Sequence, residues 1–169
     1  MDLYFYYVDN DYIEYLKKVE MQARGFTCVP NVSYRKKDKF VFGAVLKIQE
    51  SSYFVPVSSY SKKQQDIILM KDKKTSRVLG SLRFTYMIPV PNACCQKMDI
   101  NALENKSEIA HVSKELAFCR RNRDKIFKQA KKTYKRVVDK VNDALVKNSC
   151  DFILLEKACI DYCKQNNFT

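Results

Sequence analysis

Six consecutive residues, Ser58, Ser59, Tyr60, Ser61, Lys62 and Lys63, set hydroxyls that carry protons beside fixed positive charge. A site that binds and polarises a phosphodiester without a metal needs this inventory, because hydroxyls donate to phosphate oxygens and ammonium groups hold the anion. The other reading of the same residues is a solvated polar turn closing a hairpin. The segment by itself leaves both open.

The elements that must position this cluster come before it. Phe40, Val41, Phe42, Val45, Leu46 and Ile48 are strand formers, and Tyr53, Phe54, Val55 and Val57 resume the pattern after a four-residue turn. These two apolar strands read as the buried centre of a sheet, and the hydroxyl and lysine cluster is where the second one leaves it. A first strand is expected over Leu3–Val8. Asp9 or Asn10 can then cap a helix with the stripe Tyr12, Ile13, Leu16 and Val19. Residues 23–39 read as a loop carrying Arg35, Lys36, Lys37 and Lys39. Further strands are expected over Asp66–Leu69 and Arg77–Pro89, ended by Pro89 and Pro91.

Beyond residue 99 the apolar period becomes helical, through Ile109, Val112, Leu116, Cys119, Ile126, Ala130, Val137, Val141 and Leu145, and again from Cys150 to Lys164. The predicted class is α+β, a strongly curved antiparallel sheet with helices against one side and the longest helices in the C-terminal half. At 169 residues with 46% apolar content the chain suits one domain, 1–169.

The net charge of +12 points to a polyanionic partner, nucleic acid before an anionic membrane surface. Between Lys114 and Lys140 eleven Lys or Arg stand against three Asp or Glu, a local +8 that i, i+4 pairing cannot neutralise. Arg120, Arg121, Arg123, Lys128, Lys131, Lys132, Lys135 and Arg136 are expected on the exposed face of a basic helix, in reach of phosphates. Aromatics interleave with charge at Tyr34, Arg35 and Lys36, at Tyr60 and Lys62, and at Arg83, Phe84 and Tyr86. Unpaired bases stack on such rings for about 1–3 kcal/mol each, though rings on strands also serve as core.

Several classes are disfavoured. Seven cysteines without disulfide spacing suit a reducing, cytoplasmic setting. With no C-x-x-C pair and His111 as the single histidine, a zinc centre lacks its ligand set, and a cysteine protease or serine hydrolase would have to recruit that same histidine. No apolar run approaches about 20 residues, and the start MDLYFYYVDND lacks the features of a signal peptide, so no membrane partner is expected.

Six segments in order, DYIEYLKKVE, KFVFGAVLKIQ, YFVPVSSYSKK, FTYMIPVP, ELAFCRRNRDKI and CDFILLEKACIDYC, resemble the endoribonuclease toxins of type III toxin-antitoxin systems, the ToxN/AbiQ family, over nearly the whole chain. The resemblance implies a curved, partly open barrel similar to the MazF/Kid toxins. It also implies cleavage of RNA, often at adenine-rich sites, without metal or other cofactor. The implied partners are a repeat-derived antitoxin RNA that the toxin processes and that inhibits it, cellular or phage RNA substrates, and a cyclic protein–RNA assembly.

Carried over by position, the resemblance places the key hydroxyl at Ser59 with Ser58 before it. It places a lysine at Lys39, four residues before Gly43, and a tyrosine at Tyr12. The lysine after the hydroxyl pair falls on Lys62 if one residue is inserted, whereas ungapped counting lands on Ser61. Lys63 and Tyr60 adjoin it as RNA contacts, and Tyr34 corresponds to a loop tyrosine with a one-residue shift. A non-catalytic RNA-binding module would show the same charge and aromatics.

Overall fold

The computed structural model describes residues 3–31, 33–34 and 37–168; for residues 33, 34, 37 and 38 it describes the backbone. Strand β1 (Tyr4–Val8) leads directly into helix α1 (Asn10–Arg24). Asp9 caps that helix by accepting from the Tyr12 amide at 3.1 Å, and Gly25 ends it at φ 78°, a left-handed conformation that glycine adopts without steric cost. The loop expected over residues 23–39 contains a small hairpin, β2 (Ser33–Tyr34) with β3 (Lys37–Asp38).

Strands β4 (Val41–Ile48) and β5 (Ser51–Ser58) are the predicted central pair, antiparallel, with Val41 opposite Pro56 and Phe42 opposite Val55. The turn between them has two residues, Gln49 and Glu50, rather than four, because Ser51 and Ser52 already pair with Ile48 and Lys47. The register shifts between Gly43 and Leu46. Gly43 packs so closely on Phe54 that a Cβ there would overlap the ring.

β6 (Ile67–Lys71) follows, and the single strand expected over Arg77–Pro89 is divided into β7 (Val78–Arg83), a 3₁₀ turn at Phe84–Tyr86, and β8 (Ile88–Pro89). Both pieces pair with β5, so the 3₁₀ turn is a local excursion from one line of pairing. A last strand, β9 (Cys95–Lys97), pairs with β1. The seven-stranded sheet runs β6-β7-β5-β4-β1-β9, with β8 on β5, and all of its pairings are antiparallel. It is open, with β6 and β9 at its two ends.

The basic segment expected as one helix is two, α2 (Lys106–Arg121) and α3 (Arg123–Val138), separated at Asn122. Asn122 turns its amide back onto the carbonyls of Phe118 and Cys119, which caps α2 and frees the chain to change direction. Val112, Leu116 and Cys119 bury one face of α2, and Ile126, Ala130, Thr133 and Val137 one face of α3. Val141, expected on the same stripe, is 57% exposed because α3 has already ended. Short α4 (Asp143–Lys147) and then α5 (Phe152–Gln165) complete the chain, α5 lying against α1, α3 and β8.

The core is aromatic where sheet and helices meet. Tyr53, Tyr134 and Phe152 pack ring to ring at 5.5–5.6 Å, and Glu156 accepts hydrogen bonds from both tyrosine hydroxyls. No described helix is long and apolar enough to cross a membrane.

Candidate active site

Antiparallel pairing brings the first candidates together. Val41 faces Pro56, and the Val57 amide donates to the Phe40 carbonyl at 3.1 Å, so the next residues outward on the two strands are Lys39 and Ser58. Both line a cleft of about 320 Å³ at this end of the sheet. The segment from Thr27 to Asn31 forms one wall, and Arg83, just before the 3₁₀ turn that separates β7 from β8, and Tyr86, its last residue, line the cleft as well.

Ser58 ends β5, opposite Ser81 of β7. Its Oγ accepts from the Tyr60 amide at 3.2 Å, which turns the chain out of the sheet and leaves the hydroxyl proton available to an acceptor in the cleft. Ser59, the next residue, is exposed, as are Ser61, Lys62 and Lys63. These four follow the cleft-lining strand without themselves lining the cleft. Tyr60 folds back, with its ring centroid 5.0 Å from the Arg83 guanidinium carbon and its hydroxyl accepting from Gln64 at 2.8 Å.

The far end of this exit segment is fastened to α3. Asp66 is buried and receives Arg136 Nη1 at 2.9 Å on each carboxylate oxygen and the Thr133 hydroxyl at 2.7 Å. Arg136, expected to be free for phosphates, is therefore committed to holding the loop.

A second buried carboxylate builds the opposite wall. Glu20 is fully buried on α1, next to the expected stripe position Val19, and accepts four hydrogen bonds. Arg24 Nη1 and the Asp151 amide meet one oxygen, and the Thr27 hydroxyl and Cys28 amide meet the other, all at 2.7 Å. Thr27 and Cys28 thereby reach the cleft in fixed positions. Burial, and then the Glu20 carboxylate, push the Cys28 thiol up, so this cleft sulfur is a poor nucleophile at neutral pH.

Tyr12 lies in the core. It is fully buried, its hydroxyl donates to the Pro89 carbonyl at 2.6 Å, and its ring meets Tyr162 edge-on at 5.0 Å. Burial raises its phenol well above the ordinary value, which makes it reluctant to give up a proton. It does not line the cleft; it ties α1 to β8, whose Ile88 does. Arg35 and Lys36 fall outside the described residues, as does the side chain of Tyr34.

Of the expected phosphate-binding face, Arg121, Lys128, Lys131, Lys132 and Lys135 are exposed on α2 and α3. Arg120 rests over the Tyr4 ring at 5.3 Å and Arg123 meets its neighbour Asp124 at 3.2 Å. Lys114 is paired with Asp72 at 2.8 Å. Among the described residues no group of three or more His, Cys, Asp or Glu is arranged to hold a metal ion. Arg83 and Tyr86 were legible as an aromatic-basic cluster but not as cleft residues. Glu20, Thr27 and Cys28 carried no signal of their own.

Comparison with known proteins agrees with this architecture. The chain is 29% identical to the endoribonuclease AbiQ of Lactococcus lactis subsp. lactis, covering 99% of this chain and 93% of that one. It is 27% identical to the endoribonuclease ToxN of Pectobacterium atrosepticum, covering 95% and 94%. Its fold superimposes with a TM-score of 0.83 on AbiQ, a lactococcal anti-phage endoribonuclease, at 26% identity over 97% of this chain and 99% of that one. It superimposes with a TM-score of 0.82 on a structure from a type III system in which a non-coding RNA pseudoknot inhibits the toxin, at 26% identity over 96% and 98%. The sequence profile of toxin ToxN, type III toxin-antitoxin system, matches residues 4–160, and the chain belongs to that family.

Proposed function

We propose that this chain is an endoribonuclease toxin that cleaves RNA by transesterification and is held inactive by a repeat-derived RNA. The observation that carries the reading is the meeting of Lys39 and Ser58 at one end of the central strand pair, in a cleft whose lining strand β5 continues into the Ser59–Lys63 segment. Membership of a family whose named relatives are endoribonucleases supports it.

RNA supplies its own nucleophile, so the protein's task is positioning and charge stabilisation. The 2'-oxygen attacks the adjacent phosphorus and gives up its proton, the bond to the 5'-oxygen breaks, and that oxygen takes a proton. The products are a 2',3'-cyclic phosphate and a 5'-hydroxyl. In this scheme Lys39 and Lys62 hold the phosphate, while Ser58 and Ser59 donate to its oxygens or orient the 2'-hydroxyl. Tyr12 supports the strand behind the cleft and moves no proton. No metal enters the scheme, and adenine-rich strands are the expected substrates, with bases stacking on Tyr60 or Tyr86.

The exposed basic residues of α2 and α3 form a second RNA-gripping surface, suited to the antitoxin strand. Two separate gripping sites on each protein allow protein and RNA to alternate and close into a ring.

Ser59→Ala is the discriminating variant. Loss of RNA cleavage and of growth arrest on expression, with RNA binding retained, is expected. Cleavage and toxicity at wild-type levels would remove Ser59 from the site. A wild-type protein that binds RNA and leaves it intact would be a binding module instead.

A further inference from the structure

Arg83 presents an arrangement that neither packing nor the roles assigned above explain. It ends β7 just before the 3₁₀ turn, lines the cleft with Lys39 and Ser58, and is half-buried. Its guanidinium carbon lies 5.0 Å from the Tyr60 ring centroid and 4.4 Å from that of Tyr86. Among the described residues the guanidinium has no carboxylate, carbonyl or hydroxyl partner, and its Nε is buried without a hydrogen bond. A guanidinium carries five donors and no acceptor. Leaving the buried Nε unanswered beside two aromatic faces is unfavourable, since ring contacts offset only part of the lost hydration, while the terminal nitrogens are not buried and are open to an anion.

The other half-buried arginines among the described residues differ. Arg24 and Arg136 each meet a buried carboxylate. The charge of Arg83 thus serves no internal ion pair, and the cleft it lines is otherwise basic through Lys39.

We propose that Arg83 is a phosphate-binding residue of the cleft. Tyr60 and Tyr86 fix the plane of its guanidinium, and its terminal nitrogens engage one phosphate of a single-stranded RNA. A planar fork suits two oxygens of one phosphate, which a lysine does not match. The inference rests on the nuclease reading for the identity of the strand, but its test does not require cleavage.

A single-stranded, fully 2'-O-methylated adenine-rich oligonucleotide cannot be cut through its 2'-oxygen, and its affinity can be followed across a salt series. Arg83→Gln should weaken binding about tenfold at moderate salt and reduce the slope of log affinity against log salt by about 0.7, the value for one phosphate on a single strand. Arg83→Lys should keep the slope and lose several-fold in affinity, and it serves alone if the glutamine variant does not fold. Weaker binding by the glutamine variant with an unchanged slope would mean that Arg83 only props Tyr60 and Tyr86, and would overturn the assignment. Wild-type affinity and slope in the glutamine variant, or wild-type affinity in the lysine variant, would overturn it as well. If Arg83 behaves as expected while wild-type protein leaves natural RNA uncut, the nuclease reading fails and the phosphate site stands.

Discussion

Asp66 and Arg136 are joined through both carboxylate oxygens at 2.9 Å, across 70 positions of sequence, and the contact fastens the exit of β5 to α3. The segment with Ser59, Lys62 and Lys63 is thus fixed at both ends, by the Ser58–Tyr60 turn and by this pair. Removing the cation leaves Asp66 buried with the Thr133 hydroxyl as its remaining side-chain donor. Arg136→Met should cost about 3–5 kcal/mol, the usual consequence of stranding one member of a buried pair. Denaturant unfolding measures it. A change below about 1 kcal/mol would mean that the pair behaves as an exposed one.

Glu20 answers four donors at once, two of them from the wall of the cleft. Glu20→Gln replaces an acceptor oxygen with an amino group facing donors, and should destabilise the fold by about 3 kcal/mol. The same variant should raise the KM for RNA, because Thr27 and Cys28 lose their anchor. Unfolding curves and steady-state cleavage with the folded fraction check the two effects separately.

Glu115 links stability to pH. It is buried on α2, lies 3.5 Å from His111 Nε2, and faces Gly80, where a Cβ would come within 2.5 Å of its oxygen. Burial pushes its carboxyl up to about 8. The folded state therefore holds this proton over a range in which the unfolded chain has released it, and stability falls as pH rises from about 4.5 to 8. Glu115→Gln should flatten the Glu115 contribution to Tm over that window, with the largest gain over wild type at its alkaline end. Parallel Tm profiles for the two proteins would contradict the assignment.

Charge reversal of Arg121, Lys128 and Lys132 together tests the helical RNA surface. If each meets one phosphate of a single strand, the salt slope for antitoxin RNA should fall by about 2. Superimposable salt series would take this face out of the binding surface.

Much of this arrangement was readable before the structure. The aromatic and β-branched residues of 40–57 placed β4 and β5, whereas the meeting of Lys39 and Ser58 depends on the two-residue turn and on the register shift between Gly43 and Leu46, since the expected four-residue turn would set Lys39 opposite Lys62. Three features were hidden for physical reasons. Asn122 is a weak stop signal inside a run of helix-favouring arginines, so one basic helix was expected where two occur. The 3₁₀ turn at Phe84–Tyr86 interrupts an unbroken strand-like pattern, since buried Phe84 satisfies either conformation. Arg136 and Glu20 look like surface charges until the fold supplies partners 70 and 131 residues away. Tyr12 shows the converse, a residue singled out by resemblance whose hydroxyl is spent on the core.

The central claim is chemical, and the ends of the RNA report on it directly. RNA incubated with the purified protein in EDTA should give fragments with 2',3'-cyclic phosphate and 5'-hydroxyl termini, and Ser59→Ala should give none. Intact RNA, or fragments with 5'-phosphate termini, would contradict the account.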